Sequence, residues 1–122
     1  MPSARSRPGP SPKSTRYATQ FARLRDLLDA IPEGNGTLLD NCCVLWGSEL
    51  GTGNTHSFKS TPFVAAGGLP GAFATGRYLE YSENAYHNRL LISVCQAFRM
   101  SGTTTFGNTD TGSGGLPGFL KV

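Results

Sequence analysis

No run of apolar residues in the chain approaches the roughly 18 that cross a bilayer, which excludes a helical membrane span. Cysteine is equally scarce. Three thiols are an odd number, far below the roughly 8–10% of a disulfide-stapled scaffold, so the fold must hold without such bridges. Apolar residues make up 38% of the chain, under the usual share of about 45–50%, and only one is tryptophan. With 122 residues, that allows at most one modest domain.

Acid is absent from the first sixteen residues, which carry Arg5, Arg7, Lys13 and Arg16. The remainder holds seven basic residues against eight acidic ones, so the net charge of +3 belongs to the amino-terminal tail. A body of that balance does not point to specific nucleic-acid binding. Residues 1–14 contain four prolines and no large apolar side chain beyond Met1, which predicts a disordered, solvated basic tail. This tail also lacks the apolar stretch of roughly 7–15 residues found in an export peptide.

The ordered part, residues 15–122, is expected to open with a helix. Tyr17, Phe21, Leu24, Leu28 and Ile31 recur at helical spacing on one stripe, and Pro32 with Glu33-Gly34-Asn35-Gly36 ends it in a turn. The continuous apolar run Cys42–Trp46 reads as a strand buried on both faces, as inside a parallel sheet. A second short run, Pro62–Ala66, closed by Gly67-Gly68, reads as another strand with something packed closely against it. Arg77–Tyr81 alternates like an edge strand or extended arm. A second helix is expected over Glu83–Phe98, capped by Ser82 or Asn84, with Leu90, Leu91, Val94, Cys95 and Phe98 facing the core. From Arg99 onward six glycines and five threonines predict loop, pinned by Phe106, Leu116 and Phe119.

Helix, strand, strand, helix in that order predicts an α/β fold: a partial, mostly parallel sheet with two flanking helices. So few elements cannot cover both faces of such a sheet, which is how part of a larger domain looks.

The segment Trp46–Ser57 is where chemistry would sit, because ligands in open α/β sheets bind beyond the carboxyl ends of strands. Glu49 and His56 are plausible metal ligands or acid/base groups, and Gly47, Gly51 and Gly53 let backbone approach an anion. A surface loop with a solvated histidine is the competing reading. No C-x-x-C, H-E-x-x-H or phosphate-cradling glycine loop is present. Cys42 and Cys43, adjacent in a strand, point to opposite faces and read with Cys95 as small core residues. His87 reads as an end-of-helix residue.

Gly36–Asn41, Val44–Glu49, Gly53–Ser57, Pro62-Phe63-Val64, Ala66-Gly67-Gly68, Thr75–Tyr78, Phe106-Gly107 and Leu116-Pro117-Gly118 together resemble the carboxyl-terminal part of a large bacterial family, domain of unknown function 1552. Gln20-Phe21 and residues 27–36 are similar to the segment that precedes it there, so the resemblance runs from about Tyr17 to Leu120. It implies an exported protein of alkaline-phosphatase or sulfatase-like fold, in which Glu49 and His56 would help hold a divalent metal on a phosphate or sulfate ester. It also implies that the other ligands lie in a missing amino-terminal part of the same protein, so that this chain alone would be inactive. The family's His-x-His is replaced here by His56-Ser57-Phe58, which removes one ring nitrogen. That departure favours a different expectation, a noncatalytic cell-surface binding or structural module. A chain unable to fold without further sequence is the third reading.

Overall fold

A computed structural model of the chain describes residues 9, 11–48, 62–69, 71–81, 86–108 and 112–121. The first helix, α1, runs Pro12–Asp29, so it begins three residues before the expected start near Thr15. Ser11 explains the early start. Its hydroxyl accepts from the Ser14 N–H at 3.2 Å, and Pro12 takes the first helical position, where no N–H is needed. The helix ends at Ala30, and Pro32 opens a two-residue strand instead of another turn.

That strand, β1 (Pro32–Glu33), pairs antiparallel with β2 (Gly36–Thr37) through a tight turn in which Gly34 takes φ +59°. A 3-10 helix over Leu38–Asn41 follows and docks on the end of α1. The Thr37 N–H donates to the Asp40 carboxylate at 2.8 Å, and the Thr37 hydroxyl donates to Asp29 of α1 at 2.9 Å. Asn41 donates to the Glu33 carboxylate at 2.7 Å, and the Leu38 N–H to the Ile31 carbonyl at 2.8 Å. Polar contacts, more than a core, hold this corner.

The two apolar runs form β3 (Val44–Gly47) and β4 (Phe63–Ala66), paired antiparallel with Val44 opposite Ala66 and Gly47 opposite Phe63. This overturns the expected parallel α/β sheet: among the described residues both sheets are two-stranded and antiparallel. The physical reason lies in the connection. Parallel neighbours need a crossover, usually a helix whose apolar stripe covers the sheet, and the polar stretch Ser48–Thr61 offers no such stripe. The strands are not buried on both faces either. Val44, Leu45 and Trp46 are half-buried, and Phe63, Val64 and Ala65 are exposed. Phe21 of α1 covers one side of Trp46, with ring centroids 5.9 Å apart.

Helix α2 spans His87–Ala97 within the expected range, and the proposed caps Ser82 and Asn84 lie outside the described residues. Its buried face differs from expectation. Leu90 and Ile92 are buried, yet so are Asn88 and Ser93, whereas Phe98 is 55% exposed. The explanation is what packs there: the glycine-rich carboxyl-terminal segment, whose described backbone pairs with another stretch only at the Phe73–Leu120 bridge and is otherwise tied largely by α2 side chains. Asn88 donates to the Phe106 carbonyl, Arg89 to the Gly114 and Gly115 carbonyls, and Gln96 to the Thr103 carbonyl, at 3.1–3.3 Å. The Ser93 hydroxyl accepts the Leu116 N–H at 2.7 Å.

Arg77–Tyr81 forms no strand among the described residues. It is tied by its side chains, Arg77 donating to the Phe119 carbonyl and the Tyr81 hydroxyl to the Pro117 carbonyl at 2.8 Å. Burial pushes the Tyr81 phenol above its ordinary value, while Arg77 and Arg89 pull it back down. Phe73 bridges to Leu120 and meets Phe119 edge-on at 5.4 Å, so Phe119 pins the carboxyl-terminal segment as expected; Phe106 stays 45% exposed.

Candidate functional site

The two residues expected to hold a metal, Glu49 and His56, lie outside the described residues, as does Phe58. Their attachment points are described. Register places Gly47 directly opposite Phe63 at the end of the β3–β4 pair from which the connecting segment leaves, and the Phe63 ring occupies the space a side chain at Gly47 would need. His87, at the start of α2, stacks on the other face of this corner, its ring centroid 6.2 Å from that of Phe63. A residue read from sequence as a helix-end histidine thus stands beside the start of β4. Nothing in local periodicity signals this, because the contact joins residues far apart in the chain.

Among the described residues, no three His, Cys, Asp or Glu side chains converge as a metal site needs. The expected ligands lie outside the described residues, so no reaction step is routed through a metal. Cys42, Cys43 and Cys95 are free and half-buried, and Cys42 is extended, with φ −110° and ψ 159°. Burial, and then the neighbouring Cys42, push the Cys43 thiol up, so thiolate is scarce at neutral pH.

An open groove of about 400 Å³ lies where β4 bends away over the 3-10 helix, lined by Leu39, Ala65, Ala66 and Phe73 with Arg25 and Lys121 at its rim. Its floor is backbone. Gly68 donates to the Leu39 carbonyl at 3.1 Å and Leu69 to the Cys42 carbonyl at 3.3 Å. A side chain at Gly67 would collide with the Cys42 carbonyl, and one at Gly68 with that of Asp40. The close packing inferred from the small residues is therefore real, but it belongs to Gly67-Gly68 and not to the strand itself.

The largest feature is the uncovered side of α1. None of its eighteen residues is buried. Phe21 and Leu28 are half-buried toward the body, but Tyr17, Leu24 and Leu27 are 62%, 45% and 56% exposed, and Ile31 just beyond the helix is 48% exposed. At about 100° per residue, Tyr17, Leu24 and Leu27 share an arc of about 80° beside the docked edge. The single stripe read from the sequence thus divides into a seated edge and an open seam.

No helix among the described residues is long and apolar enough to cross a membrane. No family model, curated protein or solved structure matches the chain.

Proposed function

We propose that the chain is a noncatalytic binding or structural module, whose open face on α1 is completed by another polypeptide. The observation that carries this reading is the seam of Tyr17, Leu24, Leu27 and Ile31, all large and all between 45% and 62% exposed. Full burial of one such side chain contributes roughly 1.5–3 kcal/mol, so covering four that are about half exposed is worth about 3–6 kcal/mol before the entropy of association is subtracted. Scattered single apolar residues on a surface need no explanation, whereas a contiguous apolar stripe on one helix marks an interaction face. The described sheets are antiparallel, so the expected parallel fold lends an ester-hydrolase reading no support, and a reaction class has to be argued from a site.

Photo-crosslinking in the native cells tests this reading. A photoreactive residue at Leu24 or Leu27 is expected to yield a discrete protein adduct, and one at Asp26, on the opposite side, is not. Phosphate- and sulfate-ester turnover is measured in parallel with zinc, calcium or chelator. Metal-dependent turnover, or adducts formed equally from both sides of the helix, would overturn the proposal.

A further inference from the structure

The α1 seam has two unlike borders, and they narrow what can cover it. On one side Phe21 and Leu28 are docked toward the body, and Asp29 is hydrogen-bonded to Thr37 at 2.9 Å, so a partner cannot enter there. On the other side run Arg16 and Arg23, both exposed, one turn apart from each other twice over, and each immediately preceding a seam residue. The acids of the helix are elsewhere: Asp26 faces away and pairs with Arg25 at 2.8 Å, and Asp29 is held by Thr37. Along the seam, positions 17, 20, 24, 27 and 31 alternate spacings of three and four, the register of a two-helix contact, with Gln20 as its one polar member.

We infer that this seam takes an amphipathic helix of a partner protein, apolar along its contact stripe and acidic along the border that meets Arg16 and Arg23. The inference rests on the docking reading above and names the partner's chemistry. A helix laid on the seam buries Tyr17, Leu24, Leu27 and Ile31 at the i, i+7, i+10 and i+14 positions, the pattern of helix-in-groove recognition. Its acidic border then meets two arginines at the edge, where charge sets specificity and association rate more than affinity. A second copy of the chain is the poorer occupant. Packed antiparallel on itself, the seam brings the Arg16 and Arg23 border against the same border of the other copy, and like charges there repel. An anionic membrane is also the poorer occupant. Surface-seeking helices carry basic residues along the whole polar face, whereas α1, with Lys13, Arg16, Arg23 and Arg25, also has Asp26 and Asp29 in its last turn, followed by Glu33 and Asp40 just beyond it.

The test uses the full chain and two synthetic helical peptides with one leucine seam, flanked in one by Glu and in the other by Lys. Affinity is read by anisotropy of labelled peptide, and the contact surface by amide shifts over residues 16–31. The Glu peptide is expected to bind about tenfold more tightly than the Lys peptide at low salt, a preference that shrinks as salt screens it. In the Arg16→Glu/Arg23→Glu variant, whose changed side chains are exposed, the preference is expected to reverse with the circular dichroism spectrum unchanged. Equal binding of both peptides overturns the acidic partner and leaves the docking face standing. Failure of both overturns a helical partner altogether, while the crosslinking result decides separately whether the face is used. Tighter binding to vesicles of equal parts phosphatidylcholine and phosphatidylserine makes the face a membrane contact, and a dimer in sedimentation equilibrium makes it a self-contact; either result overturns the proposal.

Discussion

Replacing Ser93 with alanine removes one oxygen atom from the packed side of α2. Ser93 is fully buried, and its hydroxyl both donates to the Arg89 carbonyl at 3.2 Å and accepts the Leu116 N–H at 2.7 Å. The donor bond is dispensable, since that carbonyl belongs to a helix. The accepted bond is not. Arg89 holds the Gly114 and Gly115 carbonyls just before it, the second in the same peptide unit as the Leu116 N–H, so that N–H cannot readily swing out to water once its acceptor is gone. A buried donor left without a partner costs about 1–3 kcal/mol. In a domain of this size that is a fall in Tm of roughly 4–12 °C. A second substitution isolates the contact. A Cβ at Gly115 would lie 2.7 Å from the Ser93 Oγ and 2.8 Å from the Gln96 Oε1, so Gly115→Ala is destabilising by itself. Without the Ser93 oxygen one of those two close approaches disappears, and the double variant is expected to cost less than the sum of the singles by at least about 0.5 kcal/mol. Urea unfolding of all four proteins, followed by far-UV circular dichroism, measures both quantities. A Ser93→Ala cost under about 0.5 kcal/mol, or strict additivity, would refute the view that α2 side chains hold the carboxyl-terminal backbone.

Two further outcomes follow from the same geometry. Gly67→Ala is expected to cost about 1–3 kcal/mol for the left-handed backbone alone, at φ +112°, and more because the new Cβ meets the Cys42 carbonyl. Gly34→Ala, at φ +59° with nothing within 4 Å, is the control that carries backbone strain without overlap, so equal urea midpoints for the two would dismiss the close approach. Cys43 makes stability fall in alkali. Its thiol is held above the ordinary 9.0, so the neutral form's contribution is complete below that pH and is lost as pH rises from the unfolded value through the folded one. Thermal melts between about pH 7 and 11 should show this decline and a shallower one in Cys43→Ala; identical profiles would mean that burial does not hold the thiol neutral.

Helical periodicity made both helices legible, because an apolar stripe at 3.6 spacing survives whatever packs on it. What packs on it was less legible. The stripe through Leu90, Leu91, Val94, Cys95 and Phe98 is real in the sequence, but α2 buries Asn88 and Ser93 because its neighbour is backbone that needs donors and acceptors. Apolar counting is blind to that requirement. The strand runs were found in the right places with the wrong pairing, since a short apolar run looks the same in either sheet type. The usable signal was the connection, polar throughout and without a helical stripe. Pro12 reads as tail because residues 1–14 have no large apolar side chain to bury beyond Met1, and only Ser11 before it shows that it stands at the one position where proline starts a helix. As for the site, Glu49 and His56 lie outside the described residues, and the stacking of His87 on Phe63 is a long-range contact that no local pattern announces.

The way α1 is fastened bears on how tightly its seam can bind. Among the described residues, the contacts that seat it fall in its carboxyl-terminal half or just past it: Phe21 on Trp46, Asp29 on Thr37, and the Leu38 N–H on the Ile31 carbonyl. Residues 12–20 are all exposed and depend on the Ser11 cap and the helix's own hydrogen bonds. Helical segments without tertiary packing are marginal in water, so the half that carries Arg16 and Tyr17 is the part most able to fray. A partner that covers Tyr17 must then order that half as it binds, and part of the roughly 3–6 kcal/mol gained by covering the seam goes into ordering it. The consequence is a reversible contact of modest affinity, in which the charged border selects the partner and the apolar seam, once the helix is fully formed, retains it.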